Sequence, residues 1–534
     1  MFLWVIFFLL GTFPTSVVIA KRVDDDVELL ESLKTLEGIK VNESPHSSFQ
    51  HGYTNLEGRM LDSFDCNTAL GPPNTLQQIQ AGLSSVLDFD DGNSTLVPME
   101  VNMAIKGKVM NLQYGVQLWK VCASCLSESL TGYGCESSDY GFDVLHSGLL
   151  MIPVKLGENG EYSIIKTRKK LQTWVQSRTI AISQLDSDFI IYNPQSPSHY
   201  FPLLAASMGM VSIIPHKTGF DTSNSLTPSI VVKKSYSTST VPLYYKSAQI
   251  LNGMSDGKAS LGKDIYCMGY SEGGYGSLAT ADAFDQHGFN IVKAMSGGAP
   301  LKVRSLAVFG SFKTLLSADS FPFYQVLYLA LASIAFTNTR PDVPNNSNGF
   351  SQPFLNPDLR DDFLDLFSGS TGLASCSNTD ECSFDPVGLL FYLNQNYPHL
   401  LVGPEIFNPS FLSFAVSSIN KGIGDPCIVV PKSDQIAFGV DKICEALDEN
   451  DLSKIVTNAD YEIELCYGEL DELTPVENAI PSRLKYTFRA KHDEAMIPCS
   501  MSFLANLDTE TTGKMRKKSK TKKSWSYRTK SHKN

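Results

Sequence analysis

After its first twenty residues the 534-residue chain has no apolar run long enough to cross a bilayer. The richest later stretch, residues 321–336, is about 16 residues long, against the roughly 20 that a spanning helix needs. A bundle of spanning helices is therefore excluded. Histidine is scarce, at nine residues, and no Cys/His cluster has metal-ligand spacing: Cys122-Ala123-Ser124-Cys125 stands without a second pair. No motif for an organic cofactor is present, so the sequence calls for neither metal nor cofactor. Acid is missing from residues 514–534, which carry ten Lys or Arg; removing those ten charges takes the remainder from −12 to −22. An acidic body speaks against general nucleic-acid binding.

What is present describes a globular chain with a sizeable core, 43% hydrophobic and 19% charged. Residues 1–20 form an apolar block ending in Val18-Ile19-Ala20, which reads as a secretory signal cleaved after Ala20, although positive charge is missing from its start. An uncleaved signal anchor is the alternative; Pro14 and the short apolar core disfavour it. Three glycosylation sequons begin at Asn42, Asn93 and Asn345, and eleven cysteines point to the same oxidising route. Cys267 and Cys466 lie inside strand-like segments and read as buried free thiols. The others read as disulfide partners of open connectivity, with Cys376 and Cys382 around one short loop and Cys122, Cys125 and Cys135 crowded in another.

Residues 264–284 organise the rest. They contain Gly269-Tyr270-Ser271-Glu272-Gly273, a G-x-S-x-G pentapeptide between an apolar strand-like run and a small-residue helical segment. That is the setting of a nucleophile elbow: a strand, a strained turn that exposes the serine, then a helix whose first amides face it. A serine hydroxyl needs a base, and the base an orienting carboxylate, here in the order serine, acid, histidine. Four histidines follow Ser271: His287 after the elbow helix, His399 in a helical region, His532 in the charged tail, and His492 just after a strand candidate. His492 is the expected base. The acid is expected after the strand at 462–467, where Asp471 is favoured over its neighbours Glu469 and Glu472.

Elsewhere the pattern predicts an acidic amphipathic helix at 23–40, loops over 41–95, strands within 101–121, and a strand at 147–154 closed by Pro153. A further apolar segment follows at 179–183, then a helix at 200–208, a strand at 210–215, a helix at 241–254 and a strand at 291–295. Residues 301–420 are helical in pattern, and strand character returns at 462–467 and 485–490. Alternation of this kind predicts a mainly parallel sheet covered on both faces, of α/β class, interrupted by a helical insertion. The domain plan is a signal at 1–20, an N-terminal extension at 21–95, core at 96–300, an inserted lid or cap at 301–420, core again at 421–510, and a basic tail at 511–534.

The segments GYSEGGYGSLAT, GELDELTPVENA and KHDEAMIP, in that order, resemble the serine, acid and histidine segments of the α/β-hydrolase superfamily. SGLLMIPV, LLAASMGMVSIIPHKTGF and MSGGAP extend the likeness, most closely to its branch of secretory lipases and esterases with a helical lid, over residues 100–505. The resemblance implies Ser271 as nucleophile, Asp471 as acid, His492 as base and a small-molecule or lipid ester as substrate. One departure stands out: the His-Gly that completes many oxyanion holes is missing. The Glu272 amide supplies one donor, and the second is expected at 182–187, from Gln184 or Leu185. The reading is a secreted carboxylic-ester hydrolase; the alternatives are a peptidase of the same fold and an inactive hydrolase-fold binding protein. The basic tail, with Trp525 and Tyr527 among its lysines, offers contact with an anionic surface.

Overall fold

Strand β7, Leu261–Tyr270, carries the run Ile265-Tyr266-Cys267-Met268 with every side chain buried. A strand apolar on both sides must be covered on both faces, and alternate side chains of β7 enter two separate cores. Ile265 and Cys267 point into one, Tyr266, Met268 and Tyr270 into the other. The computed structural model describes residues 66–87, 97–125, 143–157, 162–165, 170–177, 197–223, 226, 228–308, 323–339, 355–366, 395, 397, 400, 407–420 and 426–507.

The sheet has ten strands: β1 (Thr68–Ala69), β2 (Gly115–Ala123), β3 (His146–Leu156), β4 (Tyr162–Ile164), β5 (Leu171–Ser177), β6 (Val211–Pro215), β7, β8 (Asn290–Gly297), β9 (Glu462–Gly468) and β10 (Leu484–Phe488). Their order is β1-β2-β3-β6-β5-β7-β8-β9-β10, with β4 on β3. The ladders from β6 through β10 are parallel, and those joining β1, β2, β3 and β6 are antiparallel. After β5 the chain places β6 on one side and β7 on the other. That reversal opens a crevice at the carboxyl ends of the strands, where such sheets bind ligands.

The helices are α1 (Leu76–Leu87), α2 (Met99–Met110), α3 (Pro197–Ser207), α4 (Lys233–Met254), α5 (Glu272–Gln286), α6 (Phe323–Thr339), α7 (Pro357–Leu366), α8 (Pro409–Asn420), α9 (Pro426–Val429), α10 (Lys432–Phe438), α11 (Asp441–Glu449), α12 (Ser453–Asn458) and α13 (His492–Ala505). Helices α4 and α5 cover one face through Tyr236, Leu243, Leu278 and Phe284. The other face is covered by α1, α2, α3 and α13 through Leu83, Ile105, Leu204 and Phe503.

Several expectations need correction. The first part of 101–121 is helix, not strand: Ile105 and Val109 are the buried residues of α2, four apart on one helical face. Strand β3 runs through Pro153, which pairs with Val116, and on to Leu156. Helix α4 starts eight residues before 241. Its Ser/Thr-rich start hid it, because those hydroxyls turn back onto the helix, as Ser239 Oγ does to the Ser235 carbonyl at 2.8 Å. Strand β5 was not foreseen, and the segment 179–183 lies outside the described residues, as do 1–65, the three sequon asparagines and the tail beyond 507. Cys466 is no free thiol; it is bonded to Cys499. Cys122 pairs with Cys66, 56 positions away, so its bridge is not local, and a third disulfide joins Cys427 to Cys444. Cys267 is free and buried as expected, and burial pushes its thiol well above the usual range.

His146, at the start of β3, is 1% exposed, and its Nδ1 has no hydrogen-bond partner among the described residues. Burial holds its pKa down to about 4, from 6.5, with Asp143 only partly opposing. The unfolded chain therefore binds the proton first as pH falls. The stability of a neutral His146 is complete above about pH 6.5 and is lost on the way down toward pH 4. Between about pH 7 and pH 5 this linkage removes on the order of 2 kcal/mol. Urea midpoints with intact disulfides should fall more steeply with acid in the wild type than in His146→Gln; parallel curves would refute the assignment.

Candidate active site

Strand β7 ends at Tyr270 and α5 begins at Glu272, leaving Ser271 alone in the turn with φ 56° and ψ −129°. An L-residue held there costs about 1–3 kcal/mol and persists only where its surroundings dictate it. The surroundings do so by close approach. A Cβ on Gly269 would lie 2.0 Å from the Gly273 carbonyl oxygen and 2.9 Å from that of Ser177. Glycine alone lets strand and helix close so tightly. The Ser271 amide donates to the Gly297 carbonyl at 2.8 Å, which ties the turn to the end of β8.

The histidine reaches the serine from α13. His492, its first residue, stands 2.8 Å from Ser271 Oγ through Nε2 and 2.7 Å from Asp471 Oδ2 through Nδ1. Asp471 lies on the loop after β9; its Oδ1 accepts the amides of Leu473 at 3.0 Å and Thr474 at 2.7 Å. Both side chains are almost wholly out of solvent, 4% exposed for His492 and 0% for Asp471. Tyr270, the neighbour of the serine, donates its hydroxyl to the His492 carbonyl at 2.6 Å and sets its ring 5.3 Å from the imidazole. Burial, with Asp471 close by, pushes the Tyr270 phenol far above its usual range, so it remains a donor. The disulfide between Cys466 on β9 and Cys499 on α13 fastens the element that carries the acid to the one that carries the histidine.

Glu272 opens α5, where its amide has no carbonyl to meet within the helix. Its carboxylate turns into the core, paired with Lys217, taking the Tyr236 hydroxyl and a backbone hydrogen bond from Val231. Burial pushes its pKa up, and Lys217 works against that shift. The pair therefore fixes the first helical turn from beneath. Gln184 and the whole 182–187 segment lie outside the described residues. Among the described residues no three His, Cys, Asp or Glu side chains converge as metal ligands would.

Compared by sequence, the chain matches no family model and no curated protein. Compared by structure, it is similar to a protein of Legionella pneumophila assigned to the hydrolases, at 14% identity and TM-score 0.51, over 85% of this chain and 100% of that one. It is likewise similar to a ligand-bound form of the rice cell wall degrading esterase LipA from Xanthomonas oryzae, at 15% identity and TM-score 0.53, over 83% and 95% of the two chains. The chain has the α/β-hydrolase fold. At such identities the likeness is one of fold, and it agrees with the mixed, mostly parallel sheet and its flanking helices.

Within this α/β-hydrolase fold the structure brings together Ser271, His492 and Asp471, three residues singled out from sequence. Glu472, a rival for the acid, instead accepts the His492 amide at 3.3 Å. His287, a rival for the base, sits at the end of α5 with Nδ1 2.7 Å from the Ala283 carbonyl. Tyr270, Lys217 and Cys499 were missed. Tyr270 lay inside the pentapeptide, but no periodicity says which partner a buried tyrosine takes. Closing the 33-residue separation between Cys466 and Cys499 is worth about 3–4 kcal/mol by loop entropy. The double variant Cys466→Ala/Cys499→Ala should lose that much in urea titration; an unchanged midpoint would show that the bridge constrains nothing.

Proposed function

We propose that the protein is a secreted carboxylic-ester hydrolase acting through an acyl-enzyme on Ser271. The observation that carries the reading is the continuous hydrogen-bonded chain from Ser271 Oγ through the His492 imidazole to Asp471, with links of 2.8 Å and 2.7 Å. His492 Nε2 takes the serine proton as Oγ attacks the ester carbonyl carbon. The oxyanion of the tetrahedral adduct accepts the Glu272 amide, aided by the positive end of α5. Its collapse breaks the C–O bond, and His492 gives the proton to the leaving alkoxide. Water, deprotonated by the same nitrogen, then attacks the acyl-enzyme; as the acyl–Oγ bond breaks, His492 returns that proton to Ser271 and the carboxylic acid leaves. Asp471 keeps the imidazole oriented and offsets its transient positive charge.

A small-molecule or lipid ester suits this site, and the helical residues within 301–420 would form a lid or acyl pocket over it. Secretion is supported by the leader-like residues 1–20 and by the disulfides seen among the described residues. Among the described residues no helix is long and apolar enough to cross a membrane. In the secretory pathway Asn42, Asn93 and Asn345 would be glycan acceptors, and the basic tail at 511–534 would hold the enzyme to anionic surfaces rather than to a specific nucleic acid.

A fluorophosphonate probe should label the wild type and leave Ser271→Ala unlabelled. On p-nitrophenyl esters the same substitution should cost at least about 1000-fold in kcat. Labelling or hydrolysis that survives in Ser271→Ala would remove this serine from the chemistry. An unlabelled wild type would leave the fold a binding scaffold.

A further inference from the structure

The hydroxyl of Thr474 lies at the meeting point of acid, base and turn. Its Oγ1 is 2.7 Å from the Gly298 carbonyl oxygen, 3.1 Å from Asp471 Oδ2 and 3.1 Å from His492 Nδ1. The residue is 8% exposed, so water has little part in this arrangement. A hydroxyl carries one proton and two lone pairs. With three neighbours in range, the direction of that proton decides what the imidazole meets.

We propose that Thr474 is a positioning residue that backs Asp471 in holding the His492 proton on Nδ1, a role that rests on the serine-hydrolase reading above. Its proton goes to the nearest acceptor, the Gly298 carbonyl. Its lone pairs then face the imidazole, and Nδ1–H points between two oxygens: Asp471 Oδ2 at 2.7 Å as the main acceptor and Thr474 Oγ1 at 3.1 Å as the second. Two acceptors at Nδ1 require the proton there, which leaves the Nε2 lone pair for the Ser271 hydroxyl. With the opposite polarity, a Thr474 proton aimed at Nδ1 would oppose the Nδ1–H that Asp471 calls for and loosen the imidazole.

Gly298 makes that polarity a property of the fold. Its amide donates to the Cys466 carbonyl at 2.8 Å, which fixes the peptide after β8, and its own carbonyl lies 2.7 Å from Thr474 Oγ1 in a backbone of φ +50° that favours glycine. A Cβ there would approach His492 Cε1 to 3.1 Å and the Tyr270 ring to 2.8 Å, so the glycine also makes room for the imidazole. Thr474 acts on the acid through its backbone, whose amide donates to Asp471 Oδ1 at 2.7 Å.

The test uses the full chain labelled with ¹⁵N-histidine, as wild type and as Thr474→Val, Thr474→Ala and Thr474→Ser. At neutral pH the wild type and Thr474→Ser should show the low-field His492 Nδ1–H resonance with the nitrogen shifts of that tautomer. In Thr474→Val and Thr474→Ala the resonance should move upfield, since Asp471 alone then accepts from Nδ1–H. The kcat on p-nitrophenyl butyrate should fall about 5- to 10-fold, as for the loss of one neutral hydrogen bond, with KM unchanged within about twofold. Two hydroxyl-free variants of different size guard against one failing to fold. A wild-type resonance and kcat in either of them would overturn the proposal. A wild type that neither hydrolyses esters nor takes the fluorophosphonate would count against the hydrolase reading, while the tautomer signals would still decide the role of Thr474.

Discussion

The site depends on how closely the backbone packs where β7 meets α5. Gly269 faces the Gly273 carbonyl with no room for a Cβ, and Ser271 between them is driven to φ 56°. The cost of that conformation is met by burial on both sides of the turn: β7 lies between two cores, and the Glu272 carboxylate is anchored below by Lys217 and Tyr236. A buried carboxylate without Lys217 would cost several kcal/mol. The pair is therefore a support of the turn that takes no direct part in the chemistry proposed above it.

The second half of the site comes from elements far along the chain. Its precision comes from covalent and hydrogen-bonded ties that converge on His492. The disulfide holds its helix to the strand of the acid, Tyr270 holds its backbone, and Asp471 and Thr474 hold its ring. The serine side contributes one of these ties through Tyr270, so Ser271 and His492 share a neighbour. A histidine so restrained loses little freedom when it meets the serine, which is what orientation contributes to catalysis.

The sequence was most informative where local chemistry leaves few options. A serine between glycines after an apolar strand, a carboxylate loop after a late strand and a single well-placed histidine were enough to name the three residues that meet. The sheet class followed from strand and helix alternation. What stayed hidden depends on pairing across the fold. The Cys466 partner lies on a helix packed against its strand, and nothing in the spacing distinguishes a disulfide there from a thiol. Helix α2 was obscured because its short apolar pattern fits either period, and the start of α4 because serine and threonine favour other local structures until their hydroxyls find helical carbonyls. Thr474 is an ordinary loop residue until Gly298 and His492 come beside it.

The split of the site along the chain also orders its assembly in time. Ser271 and His492 are 221 positions apart, whereas Asp471 and His492 are 21 apart. A chain made from its N-terminus can form the turn at Ser271 while β8 is still the outer strand, before His492 and Asp471 exist beside it. Open edges invite pairing with other chains, and a charge on the edge discourages it. Lys293 on β8 supplies that charge until β9 arrives, and then meets Glu462 at 3.1 Å and Glu464 at 2.9 Å. The same two strand additions that close the edge also bring Asp471 and His492 to Ser271.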